Sequence, residues 1–245
     1  MQAVILAGGL ATRLGAIARD RPKSLVEVAG RPFLAWQLER IRDSGFREVL
    51  MLIGHLGEQI RDFAGDGTRF GLRIGYRDDG PSPLGTAGAL RACTDALAPD
   101  FLVTYGDSYL PFDYSRPLLD LIEHPEAEGT LCVFRNEGRW DRSNTQINGE
   151  RVLRYEKGTR DPAFDHIDYG ATALRRDVIA RLAPGVSAGL DGVQAALAAR
   201  GELRAYRAAT RFYEIGSPEG LAELDALLRM PSPTPDSQSP SSRRT

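Results

Sequence analysis

The sequence predicts an α/β fold in which helices cover both faces of a mainly parallel sheet. Short aliphatic runs, which are typical of buried strands, alternate with segments of helical periodicity in the order βαβαβ. With 245 residues, of which 42% are hydrophobic and 26% charged, the chain can form one large domain with an ordinary core. We expect that domain over residues 1–230 and a disordered tail over 231–245, where no aliphatic or aromatic residue occurs.

The first half of the chain supplies most of the predicted sheet. One of its helices carries Leu34, Leu38 and Ile41 on a single face before Gly45 ends it. The predicted strands here are 3–7, 49–53, 72–76, 101–105 and 130–134, and the predicted helices are 33–44, 58–64, 83–96 and 118–123.

The second half begins with a predicted hairpin around the tight turn Asn148-Gly149. Gly170 lies in the middle of the next strand, where a glycine often marks the close approach of a ligand or another backbone. Ser217 as N-cap and Pro218 at the first helical position predict the start of a last helix. The predicted strands here are 144–147, 151–156, 167–174 and 203–206, and the helices before the last are 177–182 and 190–200.

A glycine pair, Gly8-Gly9, follows the first strand. Glycine lets backbone approach a ligand closely because no Cβ intervenes. Arg13 and Lys23 add fixed positive charge to the same region. Strand, glycine loop and cations together suit a polyphosphate, although an ordinary tight turn beside a solvated arginine has the same residues.

Lysine is almost absent from the chain. Of the 31 basic residues only two are lysines, Lys23 and Lys157. A compact ammonium on a flexible stem reaches into a crowded phosphate site where the planar guanidinium of arginine does not fit. The two positions are therefore candidates for phosphate contacts, and the alternative is two stray surface lysines.

Residues 83–90, PLGTAGAL, open a helix with several small side chains. Thr86 is a candidate cap for that helix. A flat ligand such as a nucleotide base would fit against Gly85, Ala87 and Gly88, and close packing of the helix on the sheet explains the same residues equally well.

An acidic residue, Asp107, follows the fourth strand in the sequence Gly106-Asp107-Ser108. Open α/β sheets bind ligands at the carboxyl ends of central strands. A carboxylate offers the hard oxygen that Mg²⁺ prefers. A turn-capping aspartate is the alternative.

Composition excludes several classes of protein. A net charge of −2 argues against a general binder of nucleic acid or membrane surfaces, and no apolar run approaches the ~18 residues of a membrane span or forms a signal peptide. Cys93 and Cys132 lack metal-ligand spacing and indicate free buried thiols in a reducing cytoplasm. His55, His124 and His166 fall outside the motifs.

The motifs occur in a fixed order: AGGLATRL with Arg21-Pro22-Lys23, then PLGTAGAL, Tyr105-Gly106-Asp107, Glu156-Lys157 and FYEIGSPEG. Over about residues 2–230 this order resembles the sugar-1-phosphate nucleotidyltransferase family. The resemblance implies a Rossmann-like fold with a small β-hairpin subregion on the sugar side. It also implies a Mg²⁺-dependent reaction, in which a sugar 1-phosphate attacks the α-phosphate of an NTP in line and releases pyrophosphate.

The resemblance also assigns residues to the two halves of such a site. Arg13, Lys23 and Asp107 would be catalytic, and Asp107 with Glu214 would hold the metal. The implied nucleotide contacts are Leu6, Ala7, Gly8, Gly9, Arg13, Gly85, Thr86, Ala87 and Gly88. The implied sugar-phosphate contacts are Asp107, Asn144, Glu156, Lys157, Asp168 and Gly170.

Two residues depart from the family pattern. The second metal carboxylate is usually aspartate and is here Glu214, and Ala11 stands where glycine is common, so its φ should be negative. The PLGTAGAL stretch resembles the guanylyltransferase branch, which favours GTP with a mannose- or heptose-type 1-phosphate. The expected partners are these two substrates, without nucleic acid or membrane, and homo-oligomerisation is left open.

Three other functions compete with this prediction. A regulatory homologue that binds nucleotide sugars without turnover would explain Glu214 but need not retain Arg13, Lys23, Asp107 and Lys157. A dinucleotide-dependent oxidoreductase is disfavoured because GGLATRLG lacks the G-x-G-x-x-G spacing. A uridylyl- or cytidylyltransferase acting on another phosphate remains the third alternative.

Overall fold

The fold is described by a computed structural model, which covers residues 1–9, 12–80 and 84–230. Its strands are β1 (Gln2–Ala7), β2 (Glu27–Val28), β3 (Arg31–Pro32), β4 (Glu48–Ile53), β5 (Arg73–Asp78), β6 (Asp100–Tyr105), β7 (Ser108–Tyr109), β8 (Gly129–Arg135), β9 (Thr145–Asn148), β10 (Arg151–Tyr155), β11 (His166–Arg175), β12 (Leu203–Arg207) and β13 (Tyr213–Glu214). Its α-helices are α1 (Phe33–Asp43), α2 (Gly57–Ala64), α3 (Gly85–Ala92), α4 (Ser115–Glu123), α5 (Arg176–Ala180), α6 (Leu190–Arg200) and α7 (Pro218–Arg229).

The main sheet has nine strands within these residues, in the order β5-β4-β1-β6-β11-β8-β12-β10-β9. Its first four strands are parallel. The long strand β11 then runs antiparallel to both β6 and β8, and β12 pairs with β8 in parallel. The predicted α/β fold is confirmed, and the sheet is mixed: it is parallel over β5, β4, β1 and β6 and mostly antiparallel beyond them.

Helices cover both faces of the sheet, as predicted. On one face the apolar side chains of α1, α2 and α4 pack on the strands, for example Leu38 and Ile60. On the other face α3, α5 and α6 bury side chains such as Leu90 and Leu197. Parallel strands need both faces covered because the βαβ crossovers place helices there.

The predicted hairpin is β9–β10, and it is continuous with the main sheet. It forms the far edge of the nine-stranded sheet, because β10 pairs with β12 and β9 also touches β11 through Thr145 and His166. The tight turn at Asn148-Gly149 is as predicted, and Gly149 has φ of 60°.

The last helix begins as the sequence predicts. Ser217 is its N-cap and accepts a hydrogen bond from Gly220 N at 3.1 Å, and Pro218 is the first helical residue. Leu224 is fully buried in a small cluster with Phe33, Tyr109 and Ile215. Helix α7 therefore fixes β13, which carries Glu214, against the body of the domain.

Both cysteines are free and buried, which confirms the prediction for Cys93 and Cys132. No helix in the described part of the chain is long and apolar enough to cross a membrane. Ala11 and the tail 231–245, on which predictions were made, lie outside the described residues.

Candidate active site

The carboxyl ends of the four parallel strands meet at one edge of the sheet. Strand β1 is followed by Gly8-Gly9, β4 by Gly54, β5 by Asp79 and β6 by Gly106-Asp107. Gly106 donates its N–H to Leu6 O at 2.9 Å, and a Cβ on Gly106 would lie only 3.1 Å from the Cβ of Ala7. The missing side chain therefore lets the turn that carries Asp107 lie directly beside the glycine loop.

Lys23 reaches this edge from a different part of the chain. Pro22 is extended and starts a short 3₁₀ segment, Lys23–Leu25. The Nζ of Lys23 then lies 2.8 Å from Asp107 Oδ2, in an ion pair whose side chains are 16% and 24% exposed. A partly buried pair of this kind holds the ammonium at a defined point while leaving it accessible to an anion.

Glu214 lies on the neighbouring strand. Strand β13 pairs with β7 so that Glu214 stands opposite Ser108, and Ile215 N donates to Asp107 O at 3.0 Å. Asp107 and Glu214 both line the cavity described next. The two carboxylates predicted to hold metal are thus carried by adjacent backbone segments.

A cavity of about 610 Å³ opens between this edge and the antiparallel half of the sheet. Its walls combine residues predicted on both sides of the site with several that were not predicted. The predicted residues that line it are Thr86, Asp107, Asn144, Lys157, Asp168, Gly170 and Glu214; the others include Tyr105, Ser108, Asp141, Arg142, Tyr155 and Phe212.

The carboxylate of Asp168 accepts three hydrogen bonds within the protein. It accepts hydrogen bonds from Gly170 N at 2.8 Å, from the Tyr155 hydroxyl at 3.2 Å and from Gln194 Nε2 at 3.2 Å. Asn144 Oδ1 accepts from Asp168 N at 2.8 Å. Burial raises the pKa of Asp168, and these donors together with Lys157 oppose the rise.

Acidic groups dominate the field inside the cavity. Burial raises the pKa of Tyr105, and nearby carboxylates, including those of Asp168, Asp107 and Glu214, raise it further. Phosphate entering such a space needs positive partners, because like charges at short range oppose binding. Lys23 and Lys157 contribute positive side chains on this side of the molecule.

Gly170 illustrates why one strand position requires glycine. Its φ is 91°, in the region where side chains are strained, and a Cβ there would meet Ser108 Oγ at 3.3 Å. The predicted close approach is therefore real, and the neighbour is the Asp107 turn. Gly170 brings the sugar-side strand β11 against that turn.

Helix α3 is explained by packing. A Cβ at Gly85 or Gly88 would collide with backbone of residues 186–188, and Ala87 N donates to Ala188 O at 2.9 Å. Ala87 itself is fully buried. Close packing, one of the two interpretations of PLGTAGAL, accounts for these residues, and nucleotide contact by them stays a prediction.

The prediction that Thr86 caps its own helix is wrong. The N-cap of α3 is Leu84, and no side chain caps it. Thr86 Oγ1 instead accepts from Leu190 N at 2.8 Å, at the first residue of α6. The hydroxyl therefore satisfies one of the unpaired N–H groups at the start of a different helix.

Some predicted site residues do not line the cavity. Glu156 does not line it; its side chain is 56% exposed and its Oε2 lies 3.7 Å from Arg154 Nη2. Gly9 is exposed and Gly8 is partly buried beside the first strand. Arg13 lies in the 3₁₀ segment Thr12–Ala18, and its side chain is outside the described part of the chain.

Asp79 was missed by the sequence interpretation. Its carboxylate packs on the glycine loop so closely that a side chain at Gly8 would collide with it, and a Cβ at Gly54 would lie 3.2 Å from Asp79 Oδ2. Burial raises the pKa of Asp79, and the neighbouring Asp78 raises it further. The same strand-end rule that selected Asp107 applies to Asp79, because it follows β5 directly.

Together, a glycine loop, a lysine–aspartate pair and a second carboxylate at the strand ends define an enzyme of the nucleotidyltransferase class. Comparison with known proteins gives the family. The MobA-like NTP transferase domain model matches residues 3–204, and the chain belongs to this family. Its relatives include sugar-1-phosphate nucleotidyltransferases, and the chain is an enzyme of that group.

Two curated relatives match most of the chain. A mannose-1-phosphate guanylyltransferase of Mycobacterium tuberculosis is 30% identical over 240 residues, which covers 96% of this chain and 67% of the relative. An N-acetylmuramate α-1-phosphate uridylyltransferase of Neisseria meningitidis is 35% identical over 197 residues, covering 73% and 84%. Among solved structures, a putative glucose-1-phosphate thymidylyltransferase of Bacillus anthracis has a TM-score of 0.83 at 20% identity, covering 96% of this chain and 98% of the other. This last similarity concerns the fold.

Proposed function

We propose that the protein joins a nucleoside monophosphate from GTP to a mannose- or heptose-type sugar 1-phosphate and releases pyrophosphate. The observation that carries this proposal is the Lys23–Asp107 pair at the strand ends, with Glu214 beside it and Lys157 in the wall of the same cavity. The reacting phosphates would lie between the two lysines. The sugar would then occupy the part of the cavity lined by Asn144 and Asp168.

The chemistry requires no dedicated base. A sugar phosphate is already an anionic nucleophile, so the barrier arises mainly from bringing it against the α-phosphate of the NTP. Lys23 would neutralise charge where the two phosphates meet, and the N–H groups of the Gly8-Gly9 loop would contact the nucleotide. Positioning and charge neutralisation together supply the catalysis.

The donor set fits Mg²⁺. Asp107 and Glu214 offer hard oxygen ligands on adjacent segments, and Mg²⁺ is commonly bound by one or two carboxylates plus substrate phosphates. Within the described ranges no group of three or more candidate metal-ligating side chains occurs, so the remaining ligands would come from substrate and water. When bound, the ion would neutralise the developing charge on the phosphates.

Asp79 supports guanine as the base. Guanine presents two adjacent donors, N1–H and the exocyclic N2 amino group, which one carboxylate accepts together. Uracil and thymine present a single ring N–H at the corresponding edge. Asp79 packs against the glycine loop on the side away from Asp107, so its carboxylate would lie beside a nucleotide bound by that loop. A curated guanylyltransferase for heptose 1-phosphate from Campylobacter jejuni, 34% identical over 154 residues that cover 62% of this chain and 66% of the relative, favours the same base.

A second candidate is uridylyl transfer to another sugar 1-phosphate. It is favoured by the Neisseria meningitidis relative, of which this chain covers the larger share. The two candidates share the catalytic pair and differ only in the base and sugar pockets.

The test is a turnover screen of GTP, UTP, CTP and dTTP against a panel of sugar 1-phosphates with Mg²⁺, in which pyrophosphate release is measured. We expect the fastest release with GTP and a mannose- or heptose-type acceptor. Preference for UTP would select the second candidate. Nucleotide binding without pyrophosphate release from any pair would contradict both.

A further inference from the structure

Gln37 is a polar residue on the apolar face of α1. Leu34, Leu38 and Ile41 occupy the same face and are fully buried against the sheet. Gln37 has no exposed surface either. A glutamine in this position needs a reason, because burying an amide is unfavourable unless its hydrogen bonds are made.

The amide of Gln37 is directed at the turn that carries Asp107. Its Nε2 donates to Tyr105 O at 2.7 Å and to Ser108 O at 3.2 Å. These carbonyls lie on either side of Asp107 in the chain. The Oε1 of the same amide makes no hydrogen bond to any part of the chain that the structure describes.

An amide whose oxygen makes no hydrogen bond is unfavourable in a protein core. A hydrophobic side chain of similar volume would remove the unpaired Oε1, but it would leave the carbonyls of Tyr105 and Ser108 without this donor. What the glutamine adds is a connection from α1 to both ends of the Asp107 turn. The turn is also held by the Lys23–Asp107 ion pair and by backbone bonds from Gly106 N to Leu6 O and from Ile215 N to Asp107 O.

We propose that Gln37 is a positioning residue, which holds the Asp107 turn from beneath and so sets the carboxylate against Lys23. This role rests on the proposed function, in which Asp107 also holds Mg²⁺. Gln37 does not touch substrate. It acts through the position of the Asp107 carboxylate.

The main test replaces Gln37 by methionine, which is also unbranched and of similar size but cannot donate. We expect kcat to fall about 10- to 100-fold, because small displacements of a catalytic group are costly. The Mg²⁺ concentration for half-maximal activity should rise, while the KM for GTP changes little. Gln37→Leu serves as a second variant if Gln37→Met does not fold.

Gln2 provides a matched control. It is also buried, and its side chain bonds backbone at both ends, with Ala96 O at 2.9 Å and Ala98 N at 2.7 Å. It lies at the opposite end of β1 from the glycine loop. Gln2→Met should lower the melting temperature without changing the Mg²⁺ dependence.

Two further measurements separate positioning from a general structural role. In a double-mutant cycle with Asp107→Asn, the loss of kcat caused by Gln37→Met should largely disappear, because the variants remove the same contribution. The second measurement is Mn²⁺ binding in the presence of a non-hydrolysable GTP analogue, detected by electron paramagnetic resonance. This binding should be weaker in Gln37→Met than in the wild type.

The proposal is overturned if Gln37→Met and Gln37→Leu bind Mn²⁺ as the wild type does, or if the kcat loss persists undiminished beside Asp107→Asn. A wild-type protein that releases no pyrophosphate would contradict the proposed function itself. The Mn²⁺ titration would still report on Gln37 in that case, so the two failures are distinguishable.

Discussion

Lys23 Nζ and Asp107 Oδ2 lie 2.8 Å apart although 84 residues separate them in the chain. Lys23 stands in a short 3₁₀ segment after Pro22, and Asp107 follows a central strand. The pair therefore joins the 3₁₀ segment of Lys23 to the end of β6, the strand next to β1 in the sheet. In the proposed reaction this is the point where the two phosphates meet.

Lys23→Arg tests the requirement for a compact ammonium. We predict that turnover falls about 100-fold, because the planar guanidinium does not fit between Asp107 and the phosphates. The melting temperature should stay close to that of the wild type. Pyrophosphate release measures the effect, with Arg207→Lys at an exposed position as control. A rate near that of the wild type would show that turnover does not require a compact ammonium at position 23.

Asp79→Asn tests base selection. An amide cannot accept from both donors of guanine, so kcat/KM for GTP should fall about 10-fold or more relative to UTP. Asp78→Asn is the matched control, since Asp78 is exposed and pairs with Arg61 at 2.6 Å. Competition between GTP and UTP in one reaction measures the ratio. An unchanged ratio in Asp79→Asn would exclude Asp79 from the base pocket.

Thr86→Val tests the bond between two helices. Loss of the acceptor for Leu190 N should lower the free energy of unfolding by about 1 kcal/mol. Thr86→Ser, which retains the hydroxyl, should lose less. Urea denaturation compares the three proteins. Equal stability of the valine variant and the wild type would show that the hydrogen bond contributes nothing net.

Asp168→Asn tests the raised pKa of a buried carboxylate. Since the folded-state pKa of Asp168 lies above its unfolded value of about 3.9, ionisation costs stability as pH rises from that value through the folded-state pKa. We predict that the variant gains in free energy of unfolding relative to the wild type as pH rises above about 4, until the folded-state pKa of Asp168 is passed. Denaturation at several pH values measures the difference, with exposed Asp62→Asn as control. A difference independent of pH would contradict the assignment.

Local patterns predicted much of this fold. The cap at Ser217 and the start of α7 at Pro218 depend on neighbouring residues, and both occur as expected. The position of the Asp107 turn beside the glycine loop agrees with the rule that parallel strands end at one edge of a sheet, whereas Lys23 reaches that edge from a 3₁₀ segment.

Other features depend on partners distant in the chain, which a local pattern does not contain. Thr86 accepts a hydrogen bond from the first residue of a helix that begins 104 residues later, and the absence of a side chain at Gly85 leaves room for the backbone of Ala188. The predicted sugar contact Glu156 follows the last residue of β10 and does not line the cavity, whereas its neighbours Tyr155 and Lys157 do. Gln37 is recognisable in the sequence as a polar residue on the apolar face of α1.

The most direct test of the central claim is pyrophosphate release from GTP, Mg²⁺ and a mannose- or heptose-type 1-phosphate by the wild type and by Asp107→Asn. We predict steady release by the wild type that requires both substrates, and a loss of about 100-fold or more in the variant with its fold retained. Equal release by the two proteins, or binding of GTP by the wild type without any release, would contradict the claim that the Lys23–Asp107 pair is the centre of a nucleotidyl-transfer site.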